Sequence, residues 1–317
     1  MRPVASPLTS EMLSPPDEEC RWVQFEQALT DADYRELGDW LTQYPDLTLT
    51  TTSYDGSITN FDFLEHFPKL RRFQCNAVDT LTNIEGLGHL PADLLDLGLG
   101  LGATRKKLSL APLARFTELR SLDLEGPTKD LAALSNLVSL KRLALRAITL
   151  PDLSLLLPLT ELEAFELRLG HTSDLSLLPQ IGRLRYLELW MVRGLADLSP
   201  LAGTTTLEAL YLQGLTQVTS LPNFAALHRL RSVHLLGLKS LDDITTLLTA
   251  PALERLSIFD MPHLQPAHLA PLVEHPMLRY FSASIGSDRK NDAVEDLVRL
   301  PPNDSSGRLD WLGDPSR

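Results

Sequence analysis

The sequence predicts an α/β solenoid, in which stacked coils each contribute one short strand and a compact return, and the strands align in a parallel sheet. Three observations carry this reading. Leucine supplies 70 of the 317 residues. A unit of the form L-x-x-L-x-L recurs along most of the chain, with its third apolar position at Leu49, Cys75, Leu99, Leu124, Leu145, Leu167, Leu189, Leu212, Leu235, Ile258 and Ala283. The intervals are 26, 24, 25, 21, 22, 22, 23, 23, 23 and 25 residues, a period that belongs to repeat architectures.

Each part of the unit has its own periodicity. The segment x-L-x-L-x alternates with period two and predicts a strand whose leucines point one way and whose intervening residues point the other. The return carries apolar residues every third position, as in Leu131, Leu134, Leu137 and Leu140, or Leu175, Leu178, Ile181 and Leu184. That spacing suits 3₁₀ turns, where i and i+3 eclipse. Aspartates open the returns at Asp130, Asp152, Asp174, Asp197 and Asp243, where a carboxylate can accept a backbone N–H. One coil cannot bury its own leucines, so stability requires stacking on its neighbours.

The runs TSDLSLLPQIGRLRYLEL (172–189) and DLSPLAGTTTLEALYL (197–212) resemble leucine-rich repeats of the 22-residue type, as in the bacterial internalins and the phosphatase-regulating SDS22 subgroup. The resemblance covers 44–286. It implies a horseshoe with a concave parallel sheet and short 3₁₀ or irregular convex returns, an architecture that such repeats share without sharing a chemistry. There is one departure. The family places asparagine three residues after the third anchor, and this chain has Val78, Gly102, Pro127, Ile148, Gly170, Val192, Leu215, Leu238, Met261 and Gly286 there. The turns must satisfy their backbone groups by another route.

The remaining chain divides around the repeats. Residues 1–16 carry four prolines without periodicity and read as a flexible tail. Residues 17–44 read as a helical N-terminal cap, with Trp22, Phe25 and Leu29 on one face, followed by Tyr34, Leu37, Trp40, Leu41 and Tyr44. Residues 45–286 form the solenoid of about eleven strands. Residues 287–317 read as a C-terminal cap helix over 291–300 and a polar tail in which Trp311 and Leu312 are candidates to dock. The stretch 98–110 reads as an inserted surface loop whose Arg105, Lys106 and Lys107 are solvated or meet an acidic partner.

Composition narrows the function. A formal charge of −12 and a pI near 5.1 argue against a broad nucleic-acid surface. The N-terminus lacks an apolar signal core, and no stretch approaches the roughly 18–20 uncharged apolar residues of a membrane span. Cys20 and Cys75 cannot build a disulfide scaffold, and Cys75 falls on a strand where its thiol points inward. These features predict a soluble protein of a reducing, cytoplasmic compartment. Arginine outnumbers lysine 22 to 7, in keeping with a GC-rich bacterial genome.

Motifs for chemistry are missing. His263, His268 and His275 have spacings of five and seven, which match no zinc pattern. The glycines of 98–110 lack the G-x-x-x-x-G-K-[ST] phosphate loop, and no G-x-S-x-G elbow occurs. Glu166 and Glu188 occupy equivalent places on neighbouring coils and read as a solvated ladder relieved by Arg168 and Arg146, rather than as a carboxylate pair for glycoside chemistry. No catalytic, metal-binding or cofactor-binding residue is predicted, and no cofactor.

The residues between the leucines should instead face outward together on the concave sheet. Coils near Arg142, Arg146, Glu166 and Arg168 present alternating charge. Those further on present Tyr186, Glu188, Trp190, Tyr211, Gln213, His234, Leu236 and Phe259. A charged sector beside an aromatic one has the composition of a protein interface. The sequence therefore predicts a non-enzymatic module recognising a partner protein, as an immunity protein, inhibitor or adaptor. A regulatory subunit of an enzyme such as a phosphatase, and an enzyme with a rim site, are the alternatives.

Overall fold

Alternation along each repeat sends two apolar side chains per strand into the core, and the coils stack on that pattern. The computed structural model describes residues 1–53, 55–76, 80–100, 107–126 and 128–303. It divides into two compact units, Met1–Ile148 and the residues from Thr149 on. The strands are β1 (Arg2–Pro3), β2 (Trp22–Phe25), β3 (Thr48–Thr52), β4 (Arg72–Asn76), β5 (Asp96–Gly100), β6 (Leu108–Ser109), β7 (Ser121–Glu125), β8 (Thr128–Lys129) and β9 (Arg142–Arg146) in the first unit. The second holds β10 (Ala164–Arg168), β11 (Tyr186–Trp190), β12 (Ala209–Gln213), β13 (Ser232–Leu236), β14 (Arg255–Phe259) and β15 (Tyr280–Ser284). Each of the eleven repeats carries its strand, all pairings are parallel, and short 3₁₀ turns such as Ser199–Gly203 and Thr245–Thr249 form the returns. The coils therefore have the strand-and-return form that the repeat predicts. No described helix is long and apolar enough to cross a membrane.

In the first unit the sheet order is β1-β2-β3-β4-β5-β7-β9, and β6 pairs β8 in a separate two-stranded ribbon. Four expectations from the sequence are corrected in this unit. Residues 22–25 are a strand rather than helix, because Val23 and Phe25 alternate into the core and are fully buried, while Trp22 stays 44% exposed. The cap helix is shorter, α1 (Asp31–Leu41), with Thr30 capping the Asp33 N–H and Tyr34, Leu37, Trp40 and Leu41 buried. Residues 1–16 are tied down: β1 pairs β2, and the Ser6 hydroxyl and Leu8 N–H both donate to Asp33. Those bonds hold the Asp33 carboxyl below its ordinary value, the Ser6 hydroxyl contributing most. The first repeat is also displaced by two residues. Leu49 pairs with Phe73 and Thr51 with Cys75, so Leu49 is the second anchor and Thr51, fully buried, the third. A slip of two keeps every side chain on its face, which is why periodicity alone cannot detect it.

In the second unit β10 to β15 follow one another in order, each in strict register with the next. The residue before each strand alternates in charge: Glu163, Arg185, Glu208, Arg231, Glu254 and Arg279. Arg185 pairs with Glu163 at 3.5 Å and with Glu208 at 3.0 Å. A slip by one coil would set like charges side by side, so the ladder adds register specificity to the leucine pattern. Helices α2 (Pro266–Leu269) and α3 (Asp288–Val298) complete the unit.

The missing asparagine row has a replacement. Residues just past the strands adopt left-handed backbone at Gly126, Ala147, Leu169, Met191, Gly214, Gly237 and Asp260. Within the second unit the Leu169, Met191, Gly214, Gly237 and Asp260 N–H groups each donate to the last strand residue of the next coil, over 2.7–3.0 Å. The positions where asparagine is usual then turn inward: Ile148, Val192, Leu215, Leu238 and Met261 are all buried. Val78, Gly102 and Pro127 lie outside the described residues. So do Arg105, Lys106, Trp311 and Leu312. The expected surface loop over 98–110 is shorter at both ends, since Gly98–Gly100 complete β5, Leu108–Ser109 form β6, and Leu108 and Leu110 are buried.

The expected aspartate caps form at Asp152, Asp174, Asp197 and Asp243, each accepting the N–H two residues on. Asp130 departs from the pattern. It sits in left-handed backbone without a side-chain cap and accepts the Ser109 hydroxyl instead.

Candidate functional site

Strand alternation in the second unit turns Leu187 and Leu189, and their equivalents, toward the core, leaving three rows of side chains on the opposite, open face. The first row is Ala164, Tyr186, Ala209, Ser232, Arg255 and Tyr280. The middle row is Glu166, Glu188, Tyr211, His234, Ser257 and Ser282, and the third is Arg168, Trp190, Gln213, Leu236, Phe259 and Ser284. Neighbours in a row lie on adjacent strands, about 4.8 Å apart.

The β10–β11 end of this face holds a buried polar network. Glu166 and Glu188 are both 0% exposed, which corrects the expectation of a solvated ladder. Arg168 bridges them: its Nε donates to Glu188 Oε1 at 2.9 Å, and its Nη2 donates to Glu188 Oε2 at 3.1 Å and also to Glu166 Oε2. Tyr186, expected as an exposed anchor, is 3% exposed. Its ring packs between Ala164 and Ala209, and its hydroxyl donates to Glu188 Oε2 at 3.0 Å. Two buried carboxylates are tolerable because the guanidinium and phenol meet them directly. Glu166, Glu188 and Tyr186 therefore form the floor of the site, and only Arg168 and its neighbours offer contact surface.

From β11 to β14 the face is apolar and aromatic. Trp190, Leu236 and Phe259 occupy the third row, half-buried, with Gln213 between Trp190 and Leu236. The Tyr211 ring stacks on His234 with centroids 5.6 Å apart, and the Tyr211 hydroxyl donates to Gln213 Oε1 at 3.1 Å. Burial pushes His234 down to about 4, so its imidazole is neutral at pH 7. Burial also raises the Tyr211 phenol, partly offset by the positive charge of Arg168. The sector is thus uncharged and rich in large rings, with Arg168 at one end and Arg255 at the other.

Arg255 was not singled out in the sequence. Its guanidinium lies over the Tyr280 ring, 4.2 Å from the centroid, the ring that the repeat register sets at the equivalent position of the next coil. On the first unit, Arg142 and Arg146 pair within that unit, Arg142 with Asp123 at 3.8 Å and Arg146 with Glu125 at 2.9 Å. Asp96 on the same sheet face has its carboxyl raised by burial, an effect opposed by Arg72 and Arg142.

Other candidates for chemistry are occupied by structural work. His263 Nε2 meets Leu241 O and His275 Nε2 meets Ala250 O, both at 2.9 Å, and His268 Nδ1 accepts the Gln265 N–H. No cluster able to hold a metal exists among the described residues. Cys20 and Cys75 are free and buried, and burial pushes the Cys75 thiol up to about 12, away from the thiolate a nucleophile needs.

No protein-family model and no curated protein matches the chain. Among solved structures, a leucine-rich-repeat protein of Leptospira interrogans is similar with 14% identity and a TM-score of 0.45, over 89% of this chain and 88% of its own. Internalin C2 of Listeria monocytogenes is similar with 20% identity and a TM-score of 0.38, over 81% of this chain and 85% of its own.

Proposed function

We propose that this leucine-rich-repeat protein is a non-enzymatic module that binds a partner protein across the open face of its second unit. The observation that carries the reading is the in-register sector of Trp190, Tyr211, Gln213, His234, Leu236 and Phe259. It is half-buried, uncharged at pH 7 and flanked by Arg168 and Arg255. Rings held rigidly by a sheet lose little conformational freedom on binding, and Tyr, Trp and Arg carry most of the energy at protein interfaces. Arg168 orients the partner and accelerates encounter, as rim charges do. Arg142 and Arg146 are proposed as contacts of the first unit in their own right, each already oriented by a carboxylate.

The two unpaired, buried cysteines support residence in a reducing compartment. Within this reading the module acts as an inhibitor, immunity protein or adaptor in a bacterial cytoplasm. Turnover of a co-purified enzyme partner separates these roles: an inhibitor abolishes it, a regulator alters it and an adaptor leaves it intact. The test of the binding face is affinity purification with the wild-type chain and a Trp190→Ala/Tyr211→Ala variant of retained fold. Partners kept by the first and lost by the second fit the proposal. Identical partner sets at identical recovery overturn it.

A further inference from the structure

We propose that the partner also grips the rim just past the third row, where Met191 and Arg193 select a segment carrying a large apolar side chain beside a carboxylate. This inference rests on the reading of the open face as the binding face, and it names what that face selects. The first observation is backbone strain. In register past the strands of the second unit, Leu169, Met191, Gly214, Gly237 and Asp260 all take left-handed backbone, Leu169 at φ 54° and Met191 at φ 50°. Glycine adopts that conformation freely and aspartate does so at small cost, whereas leucine and methionine are strained there. Gly214 and Gly237 make the same backbone bond to the next coil with no side chain at all. Met191 is nevertheless 50% exposed, so burial within the chain offsets only part of its strain. Strain of this kind collects at ligand clamps and binding sites.

The second observation is that the next coil makes room for this methionine. A Cβ on Gly214 would lie 2.8 Å from Met191 Cγ, so the side chain lies across that coil. It follows Trp190 directly and carries the apolar row of Trp190, Leu236 and Phe259 onto the rim. An unbranched, polarizable thioether adapts its shape to an incoming apolar group. The third observation is charge. Arg193 is exposed and forms no ion pair among the described residues. Its backbone is fixed between coils: its N–H donates to Gly170 O at 3.0 Å, and its carbonyl accepts the Thr172 N–H at 3.2 Å. His171 pairs with it across the coils. A guanidinium without a counter-ion beside an exposed methionine is complementary to a carboxylate beside an apolar side chain. Two residues span at most about 7 Å, so the carboxylate that meets Arg193 stands within about two positions of the side chain that meets Met191.

The test pans a phage-displayed library of random peptides on the full-length chain. Enriched peptides are synthesised with fluorescein and titrated against wild type, Met191→Asn, Arg193→Glu and Trp190→Ala/Tyr211→Ala, with folds checked by circular dichroism. Asparagine suits left-handed backbone, so Met191→Asn removes the apolar side chain and the strain together. The expected peptides carry a large apolar residue within about two positions of Asp or Glu, and they bind about ten-fold more weakly to Met191→Asn and to Arg193→Glu. The melting temperature of Met191→Asn is expected to fall by less than about 4 °C, or to rise. A larger fall would mean that packing within the free chain already offsets the strain, and it overturns the proposal. So does a library that yields no enriched peptide, or enriched peptides without that pairing. Peptides lost by Trp190→Ala/Tyr211→Ala but held at wild-type affinity by Met191→Asn and Arg193→Glu also overturn it, while leaving the proposed binding face in place.

Discussion

Replacing Arg168 by methionine removes the cation from between two carboxylates that have no exposed surface. Methionine fills much the same volume, so the change isolates charge from packing. Loss of one partner of a buried ion pair costs about 3–5 kcal/mol. Arg168→Met is therefore expected to destabilise the second unit by about 3–5 kcal/mol at pH 7. Adding Glu188→Gln should restore most of the loss at pH 7, since one buried charge is then gone. Urea denaturation followed by Trp190 fluorescence, in a background with the other tryptophans replaced by phenylalanine, reads the unit directly. A loss below about 1 kcal/mol at pH 7 would refute the reasoning.

Four further outcomes follow from particular positions. His234 is neutral in the fold down to about pH 4, whereas an unfolded histidine takes its proton near 6.5. Its contribution to stability is therefore complete above pH 6.5 and falls as pH drops toward 4, by up to roughly 3 kcal/mol; His234→Gln should flatten that limb of the stability–pH curve measured by denaturant titration. Asp152, Asp197 and Asp243 are held below their ordinary value by hydrogen bonds, led by the Ser154 side chain, the Ser199 backbone N–H and the Thr245 side chain. Their caps persist above the ordinary carboxylate value and are lost as pH falls through the lowered ones, so triple replacement by alanine should leave the acid limb less steep. Gly237 has φ +64° and a Cβ there would meet nothing closer than 3.4 Å, so Gly237→Ala reports the left-handed penalty alone, about 1 kcal/mol by thermal melting. At Gly38 a Cβ would lie 2.1 Å from the His66 carbonyl oxygen, and Gly38→Ala should cost at least about 2 kcal/mol by separating α1 from the first coils.

The leucine register carried most of the architecture, because a repeat states the same constraint at every coil. Its limits show where the constraint is weakest. Val23 and Phe25 hide a strand inside a stretch whose Trp22, Phe25 and Leu29 mimic a helical face. Thr51 breaks the apolar identity of a third anchor and displaces the first repeat by two residues. The open face was legible as to which residues share it, since alternation decides that. It was not legible as to which of them meet water. Tyr186 is covered because its neighbours in the row are Ala164 and Ala209, whereas Tyr211 in the next row is not. Glu166 and Glu188 are covered by their own counter-ion, a long arginine from the third row. Cross-coil coverage of this kind depends on side-chain length and rotamer, which spacing does not encode. The return of Pro301–Asn303 onto the sheet has no periodic signal at all, and two serines and an asparagine fix it.

Hydroxyl-radical footprinting of the chain, free and bound to the protein it captures, probes the binding face side chain by side chain. Oxidation of Trp190, Tyr211 and Phe259 is expected to fall several-fold in the complex while Trp22, exposed on the first unit, keeps its rate. Unchanged oxidation at those three rings, with protection arising elsewhere on the chain, would contradict the account.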